Sequence, residues 1–455
     1  MDPTNLSAIA KWAGGELLQG DPARNITHIC TDSRALKAGD LFLALRGENF
    51  DGHAFVETAA KLGAAGVIVA EATAGLPGDF AVIKVADTLA ALQQIAAGYR
   101  KSLPLKAVVI TGSNGKTSTK DFAAAVLEER FRVIKTEGNL NNHIGLPLTI
   151  LRARGSDEIG VFEIGMNHPG EIAPLAKIAK PDVGIITNVG VAHIEYMGSR
   201  DAIAQEKGML AEALPEGGCL VMDAGDEYTG SISRRTKART VLCGIDEGEV
   251  RATGIRIDAA GSHFQLSAGG ETVQAQTAVP GEHMVRNALL AIAAGIIFGL
   301  TPAECAAGLA RVHLTKGRLE QKNIRGILVI DDTYNANPDS MVAALRTLAQ
   351  MPASGRRIAV LGRMGELGIE SERGHRQVGE AAGVLKINYV ISVGEEARFI
   401  SESARQHGAG EAIHAASTDE ATVVLNNLAR AGDVVLVKGS RSAKMEKIVE
   451  GLAAV

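Results

Sequence analysis

A short glycine-rich loop between an apolar strand and a helix constrains the fold of this chain more than any other part of its sequence. The apolar run 107–110 leads into Thr111-Gly112-Ser113-Asn114-Gly115-Lys116-Thr117-Ser118, and a helix-like segment follows. Backbone N–H groups at such a helix start point to one spot, where the helix dipole adds partial positive charge. The pattern therefore predicts a polyphosphate site, with Lys116 near the terminal phosphates and the Thr117 hydroxyl on Mg²⁺.

This loop fits the general P-loop pattern only in part. Gly115-Lys116-Thr117 matches the end of the pattern, but Ile110 stands where the first glycine belongs, so the loop is shorter than usual. An ordinary strand-to-helix turn with a solvated lysine is the alternative interpretation. The order of strand, loop and helix favours nucleotide binding.

Composition narrows the class of protein. With 455 residues, of which 46% are hydrophobic and 22% charged, the chain is typical of a globular protein of about three domains. The net charge of −5 gives no bulk attraction to nucleic acid or to anionic membranes, so we expect neither as a partner. The four cysteines form no CxxC pair, no leader-like segment opens the chain, and no apolar helix is long enough to span a bilayer. We therefore expect a cytoplasmic protein.

We predict an α/β fold of three domains. They are a small N-terminal α/β domain at 1–105, a central P-loop ATPase domain at 106–315 and a C-terminal Rossmann-like domain at 316–455. Apolar strands alternate with amphipathic helices in the last two domains, which is typical of parallel sheets with helices on both faces. Between 250 and 279 polar and apolar residues alternate, which predicts antiparallel strands at the edge of the central sheet.

Two polar residues stand where ligands of such sheets gather, at the carboxyl ends of strands. Glu163 ends the otherwise apolar run 159–164, and a carboxylate there is costly to bury without a cation. We predict that it binds or orients Mg²⁺; the alternative is a structural carboxylate paired with a lysine. His193 follows the next strand, and a metal or phosphate contact is as well supported there as a packing role.

Three further segments carry polar residues that merit attention. In the segment 330–340, Asn337 suits a helix N-cap and Pro338 the first helical position, which leaves Asp331, Asp332, Tyr334 and Asn335 as candidate ligands of the sheet. The cationic loops 316–320 and 438–441 are each either solvated or anion-binding. Lys207 lies on a probable helix, and its physical chemistry alone indicates a solvated lysine paired with a neighbouring acid.

Together these motifs resemble the Mur ligase superfamily, the ATP-dependent amide-forming enzymes of peptidoglycan assembly, over all three predicted domains. The short loop is similar to that superfamily's form of the P-loop, which accounts for the missing first glycine. Two longer stretches, Gly138-Asn139-Leu140-Asn141-Asn142-His143-Ile144-Gly145-Leu146-Pro147 and Asp332-Thr333-Tyr334-Asn335-Ala336-Asn337-Pro338, are similar to the members that add the dipeptide D-alanyl-D-alanine.

The resemblance implies a set of ligands and the residues that bind them. The implied ligands are ATP, Mg²⁺, a UDP-N-acetylmuramoyl-tripeptide and D-alanyl-D-alanine, with the UDP-sugar held by the N-terminal domain. Implied substrate-binding residues are Ser33, Arg34, Gly47, Asp51, Gly52, His53, Asn139 and Asn142. Implied ATP-binding residues are Gly112, Ser113, Asn114, Gly115, Lys116, Thr117, Ser118, Asn287, Arg318, Asp332, Tyr334 and Asn335. Implied metal-site residues are Thr117, Glu163, His193 and Lys207.

The resemblance also implies a mechanism and a modification. Lys116, Glu163, His193 and Lys207 are the implied catalytic residues, and Lys207 stands at the position that is carbamylated in the superfamily. Carbamylation would turn this cation into a carboxylate-like metal ligand. The peptide carboxylate is expected to form an acyl phosphate with ATP, which the amine of the dipeptide then attacks. We expect a monomer whose C-terminal domain closes about hinges near 103–104 and 315–317.

Some positions depart from the superfamily pattern. Arg363 stands where aspartate is usual, Met284 stands where asparagine is usual, and Met209 follows Gly208 where an acid often follows the modified lysine. These departures concern local contacts, above all at position 363, and leave the implied reaction class unchanged.

Three alternative functions remain open at this point. Two are near: a sibling ligase that adds a single amino acid, and a folate polyglutamylating enzyme with the same ATPase core. The stretch 334–338 argues against both. The third is a nucleotide switch or motor protein, and the absence of an Asn-Lys-x-Asp motif argues against it.

Overall fold

The computed structural model describes residues 1–47, 50–71 and 75–453. It contains three α/β domains in chain order, each organised around a mostly parallel sheet. The predicted fold class is confirmed.

The N-terminal domain has a five-stranded sheet in the order β2-β7-β6-β5-β4, in which only the β2–β7 pair is antiparallel. Strands β1 and β3 form a separate antiparallel pair. The strands are β1 Thr4–Asn5, β2 Glu16–Gln19, β3 Asn25–Ile26, β4 Ile29–Cys30, β5 Leu41–Leu43, β6 Gly66–Val69 and β7 Ala81–Lys84. The helices are α1 Leu6–Trp12, α2 Val56–Lys61 and α3 Thr88–Ser102.

The central domain has a nine-stranded sheet in the order β16-β15-β14-β13-β12-β11-β8-β10-β9. The strands are β8 Lys106–Thr111, β9 Val133–Lys135, β10 Ile159–Glu163, β11 Val183–Ile186, β12 Cys219–Asp223, β13 Arg239–Ile245, β14 Val250–Asp258, β15 Gly261–Ala268 and β16 Glu271–Thr277. The helices are α4 Lys116–Leu127, α5 Gly145–Leu151, α6 Ile172–Ala179, α7 Ile194–Met197, α8 Arg200–Lys207, α9 Met209–Glu212, α10 Thr229–Ser233, α11 Glu282–Ile297 and α12 Pro302–Ala310. Strands β14 to β16 are antiparallel, as the sequence predicts.

Strand β8 lies at the middle of the central domain because both of its faces are apolar. Val108 and Ile110 pack into the core beneath α4 and α11, and Ala107 and Val109 pack into the core on the other face. That second core also contains Tyr99 of α3. Alternation along the strand thus gives the central sheet a face whose apolar core also contains a helix of the N-terminal domain, which packs against α5 and α6.

The C-terminal domain has a six-stranded sheet in the order β17-β18-β22-β19-β20-β21, parallel except for β17. The strands are β17 Glu320–Ile324, β18 Ile327–Asp332, β19 Arg357–Gly362, β20 Tyr389–Val393, β21 Glu411–Ala415 and β22 Val434–Lys438. The helices are α13 Pro338–Gln350, α14 Ser371–Val384, α15 Arg398–Gln406, α16 Thr418–Leu428 and α17 Glu446–Ala453. Apolar cores on both faces agree with a doubly wound fold.

The connection into the C-terminal domain is tied to the central domain. The backbone N–H and the hydroxyl of Thr315 both donate to Oδ2 of Asp121 on α4, each at 2.9 Å. Gly317 then turns the chain with a φ of +71°, which favours glycine. Among the residues that the structure describes, no helix combines the length and apolar character needed to cross a bilayer.

Candidate active site

The glycine-rich loop connects β8 to α4 as predicted, and two glycines make its path possible. Gly115 caps α4 with a φ of +80°, which is the left-handed region. At Gly112, where φ is +150°, an added Cβ would collide with Oγ1 of Thr187. The neighbouring strand end therefore allows only glycine at Gly112.

Backbone and side-chain hydrogen bonds from the end of β11 fix the loop. The backbone N–H of Ser113 donates to the carbonyl of Asn188 at 2.9 Å, and the N–H of Asn114 donates to Oδ1 of Asn188 at 3.0 Å. Oγ of Ser113 accepts from the N–H of Gly190 at 2.9 Å. The loop is thus held in a defined shape by the protein itself.

Lys116 folds back over this loop. Its ammonium donates to the carbonyl of Gly112 at 2.8 Å. Burial lowers the pKa of Lys116, and the carboxylate of Glu163 acts against that shift. A cation at this position faces any anion that the loop holds.

Glu163 lies beside the loop because β10 pairs with β8 and sets Glu163 opposite Ile110. Its side chain is buried, and Oε1 accepts a hydrogen bond from Nδ2 of Asn141 at 2.7 Å. Oε2 is also buried and has no hydrogen-bond partner among the described residues. The alternative of a structural pair with lysine is not observed for the described residues, and the free oxygen fits a cation ligand.

His193 follows β11 in the left-handed conformation, with a φ of +64°. Its Nδ1 lies 2.6 Å from Oε2 of Glu366, a residue of the C-terminal domain. This contact lowers the pKa of Glu366. The structure therefore places His193 at the cavity and at the boundary between two domains.

Lys207 ends α8 in a buried position, where 1% of its surface is exposed. No acidic side chain of the described residues lies within ion-pair distance of its ammonium, since Glu206 accepts instead from the backbone of Gly170 and Ile172. Burial and the charge of Lys116 lower the pKa of Lys207 well below its usual value. The solvated lysine paired with an acid, which physical chemistry alone indicated, is wrong.

The C-terminal domain brings its own predicted residues to the loop. Arg318 donates from Nη2 to Oγ1 of Thr117 at 3.2 Å, and its guanidinium lies 4.2 Å from the ring centre of Tyr334. Lys438 is buried and donates to Oδ2 of Asp332 at 2.6 Å and to the carbonyl of Asn335 at 2.9 Å. Arg318 and Lys438 thus make part of each cationic loop belong to the site, while Lys316 and Arg441 of the same loops are exposed.

Two hydrogen bonds cross directly from α13 to the central domain. Nδ2 of Asn337 donates to Oδ1 of Asn114 in the glycine-rich loop at 2.7 Å. Oδ2 of Asp339 accepts from the backbone N–H of Val191 at 3.1 Å. Asn337 also caps α13 with Pro338 in the first turn, which confirms the predicted helix start.

A cavity of about 1380 Å³ lies between the central and C-terminal domains. Its lining includes fifteen of the predicted residues: Ser113, Asn114, Gly115, Lys116, Thr117, Ser118, Asn139, Asn142, Glu163, His193, Asn287, Arg318, Asp332, Tyr334 and Asn335. Gly112 and Lys207 lie behind this lining, within the protein. The arrangement suits a nucleotide on the loop and a second ligand against the C-terminal wall.

The six predicted N-terminal residues are not part of the cavity lining. Arg34 forms an ion pair with Asp32 at 2.7 Å. Nδ1 of His53 lies 2.6 Å from Asp51, and Nε2 of His53 accepts from the backbone of Ala70 at 2.9 Å. Ser33, Gly47 and Gly52 complete this set on the N-terminal domain.

Several cavity residues were not predicted as site residues. Asn141 orients Glu163, Asn188 anchors the loop, and Glu366 and Asp339 reach across the domain boundary. Asn141 and Asp339 stand in or next to the stretches singled out in the sequence. The roles of Asn188 and Glu366 depend on contacts distant in sequence and leave no local pattern.

The three departures from the superfamily pattern have different surroundings. Met284 is buried, with its sulfur 3.7 Å from Nδ2 of Asn287. Met209 receives a hydrogen bond from Arg235 at 3.2 Å. Arg363 lines the cavity.

Within the described ranges, no group of three or more His, Cys, Asp or Glu side chains forms a ready cation cluster.

Family models cover most of the chain. The model described as "Mur ligase family, catalytic domain" matches residues 25–100, "Mur ligase middle domain" matches 110–295, and "Mur ligase, glutamate ligase domain" matches 317–441.

Curated relatives match over the full length. A Bacillus subtilis protein named UDP-N-acetylmuramoyl-tripeptide--D-alanyl-D-alanine ligase is 38% identical, covering 98% of this chain and 97% of its own. The protein of the same name from Escherichia coli is 37% identical, covering 99% of each chain.

Solved structures agree with these relatives. MurF from Acinetobacter baumannii superposes with a TM-score of 0.93 at 32% identity, covering 100% of both chains. MurF ligase from Thermotoga maritima in complex with ADP superposes with a TM-score of 0.84 at 27% identity, covering 94% of this chain and 97% of its own.

Proposed function

The chain belongs to the Mur ligase family, and we propose that it joins D-alanyl-D-alanine to the terminal carboxylate of UDP-N-acetylmuramoyl-tripeptide, forming ADP and phosphate. The observation that carries this proposal is the 38% identity, across 98% of the chain, to a relative named for that reaction. The reaction makes a peptidoglycan precursor. ATP is the phosphoryl donor, as the glycine-rich loop and the ADP complex of a relative support.

The chemistry explains why such a ligase needs the loop. A carboxylate is a poor electrophile, so its oxygen must first become a leaving group. Attack of the tripeptide carboxylate on the γ-phosphorus of ATP gives an acyl phosphate and ADP. The backbone N–H groups at the start of α4 and the ammonium of Lys116 would offset repulsion between the two anions.

The second step needs a neutral amine held beside the acyl carbon. The amine of D-alanyl-D-alanine attacks that carbon, an amide bond forms, and phosphate leaves with the bonding electron pair. The cavity between the central and C-terminal domains has room for both partners. Ordering of the amine next to the acyl phosphate lowers the entropic cost of this step.

Glu163 and Thr117 are the residues that best fit a Mg²⁺ ion. Oε2 of Glu163 is a buried oxygen with no partner among the described residues, and the Thr117 hydroxyl lies in the first turn of α4. His193, which follows β11, and Lys207 in its carbamylated form complete the proposed set. When bound, Mg²⁺ supplies positive charge to the phosphates as the carboxylate approaches.

Lys207 is proposed to act in a carbamylated form. A buried amine with a lowered pKa is neutral more often than a solvated one, and only the neutral amine reacts with CO₂. Among the described residues, no carboxylate pairs with the ammonium of Lys207. The carbamate would replace this unpaired positive charge with a negative one. A negative group there would also relieve the repulsion that Lys116 exerts.

The remaining assignments extend the proposal to the whole chain. We assign domain limits of 1–105, 106–315 and 316–455, which the end of α3 at Ser102 and the start of β17 at Glu320 support. The N-terminal set described above would hold the UDP-sugar, and Asn139 and Asn142 would contact the substrate. The enzyme would act as a monomer in the cytoplasm, whose reducing conditions suit four free cysteines.

The decisive experiment supplies ATP, Mg²⁺ and a UDP-muramoyl-tripeptide, then compares D-alanyl-D-alanine with single amino acids as acceptors. We expect a pentapeptide product only with the dipeptide. Product formed only with single amino acids would assign the chain to a sibling ligase. ATP turnover by the protein in the absence of both the tripeptide and the amine acceptor would instead support a nucleotide switch.

A further inference from the structure

Arg363 is a cavity cation that the mechanism above leaves unused. It follows β19, on the C-terminal wall of the cavity. Its side chain is 43% exposed. Nε donates to Oγ of Ser442 at 3.3 Å, and Nη1 donates to Oε1 of Glu396 at 3.1 Å. Since a guanidinium has five N–H donors, Nη2 remains available, with no bond to a described residue.

The other arginines and the lysines of the cavity, like Arg363, have partners in the protein. Arg286 donates twice to Asp223, at 2.9 and 3.1 Å. Arg200 donates to the carbonyl of Val189 at 3.0 Å. Lys116, Arg318 and Lys438 are committed to the loop, to Thr117 and to Asp332. Arg441 is 70% exposed and reaches Glu446 at 3.3 Å, so it lies mostly in solvent.

The segment that carries Arg363 is fixed by a hydrogen bond to His375 of α14. His375 is fully buried, and its Nε2 accepts from the backbone N–H of Met364 at 3.0 Å. Nδ1 of the same ring donates to the carbonyl of Ser371 at 2.7 Å. Glu396, which orients the guanidinium, itself accepts from Oγ of Ser371 at 3.2 Å. Arg363 is therefore positioned before any ligand arrives.

We infer that Arg363 binds the terminal carboxylate of the incoming dipeptide. An extended dipeptide spans roughly 7 Å, so its carboxylate points away from the acyl carbon while its amine is beside that carbon. The C-terminal wall is where this end must then be received, and a guanidinium with a free edge matches a carboxylate. The inference rests on the proposed function and adds a contact to the carboxyl end of the acceptor that is particular to this chain, since aspartate is usual at this position in the superfamily.

The test compares D-alanyl-D-alanine with its uncharged analogue, D-alanyl-D-alaninamide, at saturating ATP and UDP-muramoyl-tripeptide. For Arg363→Gln we expect a roughly 10- to 100-fold rise in KM for the dipeptide, the range of a lost charged hydrogen bond. KM for the amide, KM for ATP and kcat should stay within a few-fold of the wild-type values. Arg363→Lys, which keeps the charge without the fork, should recover part of the loss.

Arg373→Gln is the matched control, because Arg373 is 78% exposed and pairs only with Glu370 among the described residues. It should behave as the wild type with both acceptors. A wild-type KM for the dipeptide in Arg363→Gln, or an equal rise for dipeptide and amide, would overturn the inference. A wild-type enzyme that makes no product from D-alanyl-D-alanine would overturn the proposed function instead. If Arg363→Gln does not fold, Arg363→Lys replaces it in the test. A larger rise in KM for the dipeptide than for the amide supports the inference, and an equal rise or no rise overturns it.

Discussion

Two residues of the site, Glu163 and Lys207, have buried charged groups without a partner of opposite charge among the described residues. Glu163 has a buried oxygen without a partner among the described residues, and Lys207 has a buried ammonium without an acid. Either would destabilise the fold if it stayed uncompensated. We therefore expect both groups to be compensated by molecules from outside the chain. A bound cation would neutralise Glu163, and reaction with CO₂ would convert Lys207 into a negatively charged carbamate.

Lys207→Ala should reduce ligation by about 10²- to 10³-fold, since it removes the proposed carbamate ligand of Mg²⁺. Added formate should restore part of the activity by filling the vacated place with a carboxylate. Steady-state rates with and without formate measure both effects. Lys177→Ala, at an exposed lysine of α6, is the control. Wild-type activity in Lys207→Arg, which cannot form the carbamate, would contradict the proposal.

His375 predicts a dependence of stability on pH. Burial lowers the pKa of His375 from the usual 6.5, because a buried site disfavours the charged ring. Protonation would also turn Nε2 into a donor facing the N–H of Met364. A lowered folded-state pKa means that this contribution is fully present above pH 6.5 and is lost as the pH falls below it. The loss is limited to about 1.4 kcal/mol per pH unit for one proton.

Thermal melts between pH 7.5 and 5.5 should therefore show a smaller fall of Tm in His375→Gln than in the wild type. The variant starts from a lower Tm, because it loses the hydrogen bonds of the ring. His313→Gln, at an exposed histidine, should follow the wild-type slope. Parallel slopes for all three proteins would show that His375 does not titrate in this range.

At the scale of secondary-structure elements, helix α13 combines two tasks at its first turn. Oδ1 of Asn337 accepts from the N–H of Ser340 at 3.0 Å and caps the helix, while Nδ2 donates to Asn114 of the glycine-rich loop. The residue that caps α13 in the C-terminal domain thus also holds the glycine-rich loop of the central domain by a hydrogen bond. The amide side chain suits both tasks because it carries an acceptor and a donor.

Asn337→Asp and Asn337→Ala should separate these tasks. Aspartate keeps the capping oxygen, so Tm should stay near the wild-type value, but KM for ATP should rise several-fold because the bond to Asn114 is lost and negative charge is added. Alanine should also lower the stability of the helix by about 1 kcal/mol. Ser417→Ala, which removes the cap of α16, should lower Tm and leave KM for ATP unchanged. An unchanged KM in both Asn337 variants would rule out the link to the loop.

Elements with strong local patterns were predictable, and weakly patterned ones were not. The Asn337-Pro338 pair located the start of α13, and continuous apolar runs located β8, β10 and β22. By contrast, β9 and β17 are partly exposed on both faces and carry neither pattern. In the site, residues near the loop were predictable from strand ends, but the contact of His193 with Glu366 joins distant parts of the chain.

At the scale of the whole molecule, the domains are joined in two ways. Tyr99 of the N-terminal domain lies in an apolar core that this domain shares with the central domain, and its hydroxyl donates to the carbonyl of Ala153 at 2.7 Å. The C-terminal domain shares an apolar cluster with the central domain, and at the rim of the cavity it adds polar contacts such as those of Asp339 and Glu366. The polar contacts at the rim can be exchanged for contacts with solvent at low cost, so we expect the C-terminal domain to open on that side of the cavity.

Asp339→Ala should make the molecule more open. Loss of the bond to Val191 removes one contact across the cavity, so the radius of gyration from small-angle scattering should increase, and ligation should slow several-fold. Asp419→Ala is a close control, because it removes a first-turn acid from α16 on the same domain. Identical scattering profiles for Asp339→Ala and the wild type would argue against a role in closure.

The size of the cavity also bears on how economically the enzyme uses ATP. A polar space of about 1380 Å³ holds tens of water molecules at roughly 30 Å³ each. An acyl phosphate formed there before the dipeptide arrives is exposed to hydrolysis, and each such event wastes one ATP. The ratio of ADP released to peptide bonds formed should therefore exceed one at low dipeptide concentration and fall to one at saturation. Through its volume alone, the cavity links the yield of the reaction to the supply of acceptor.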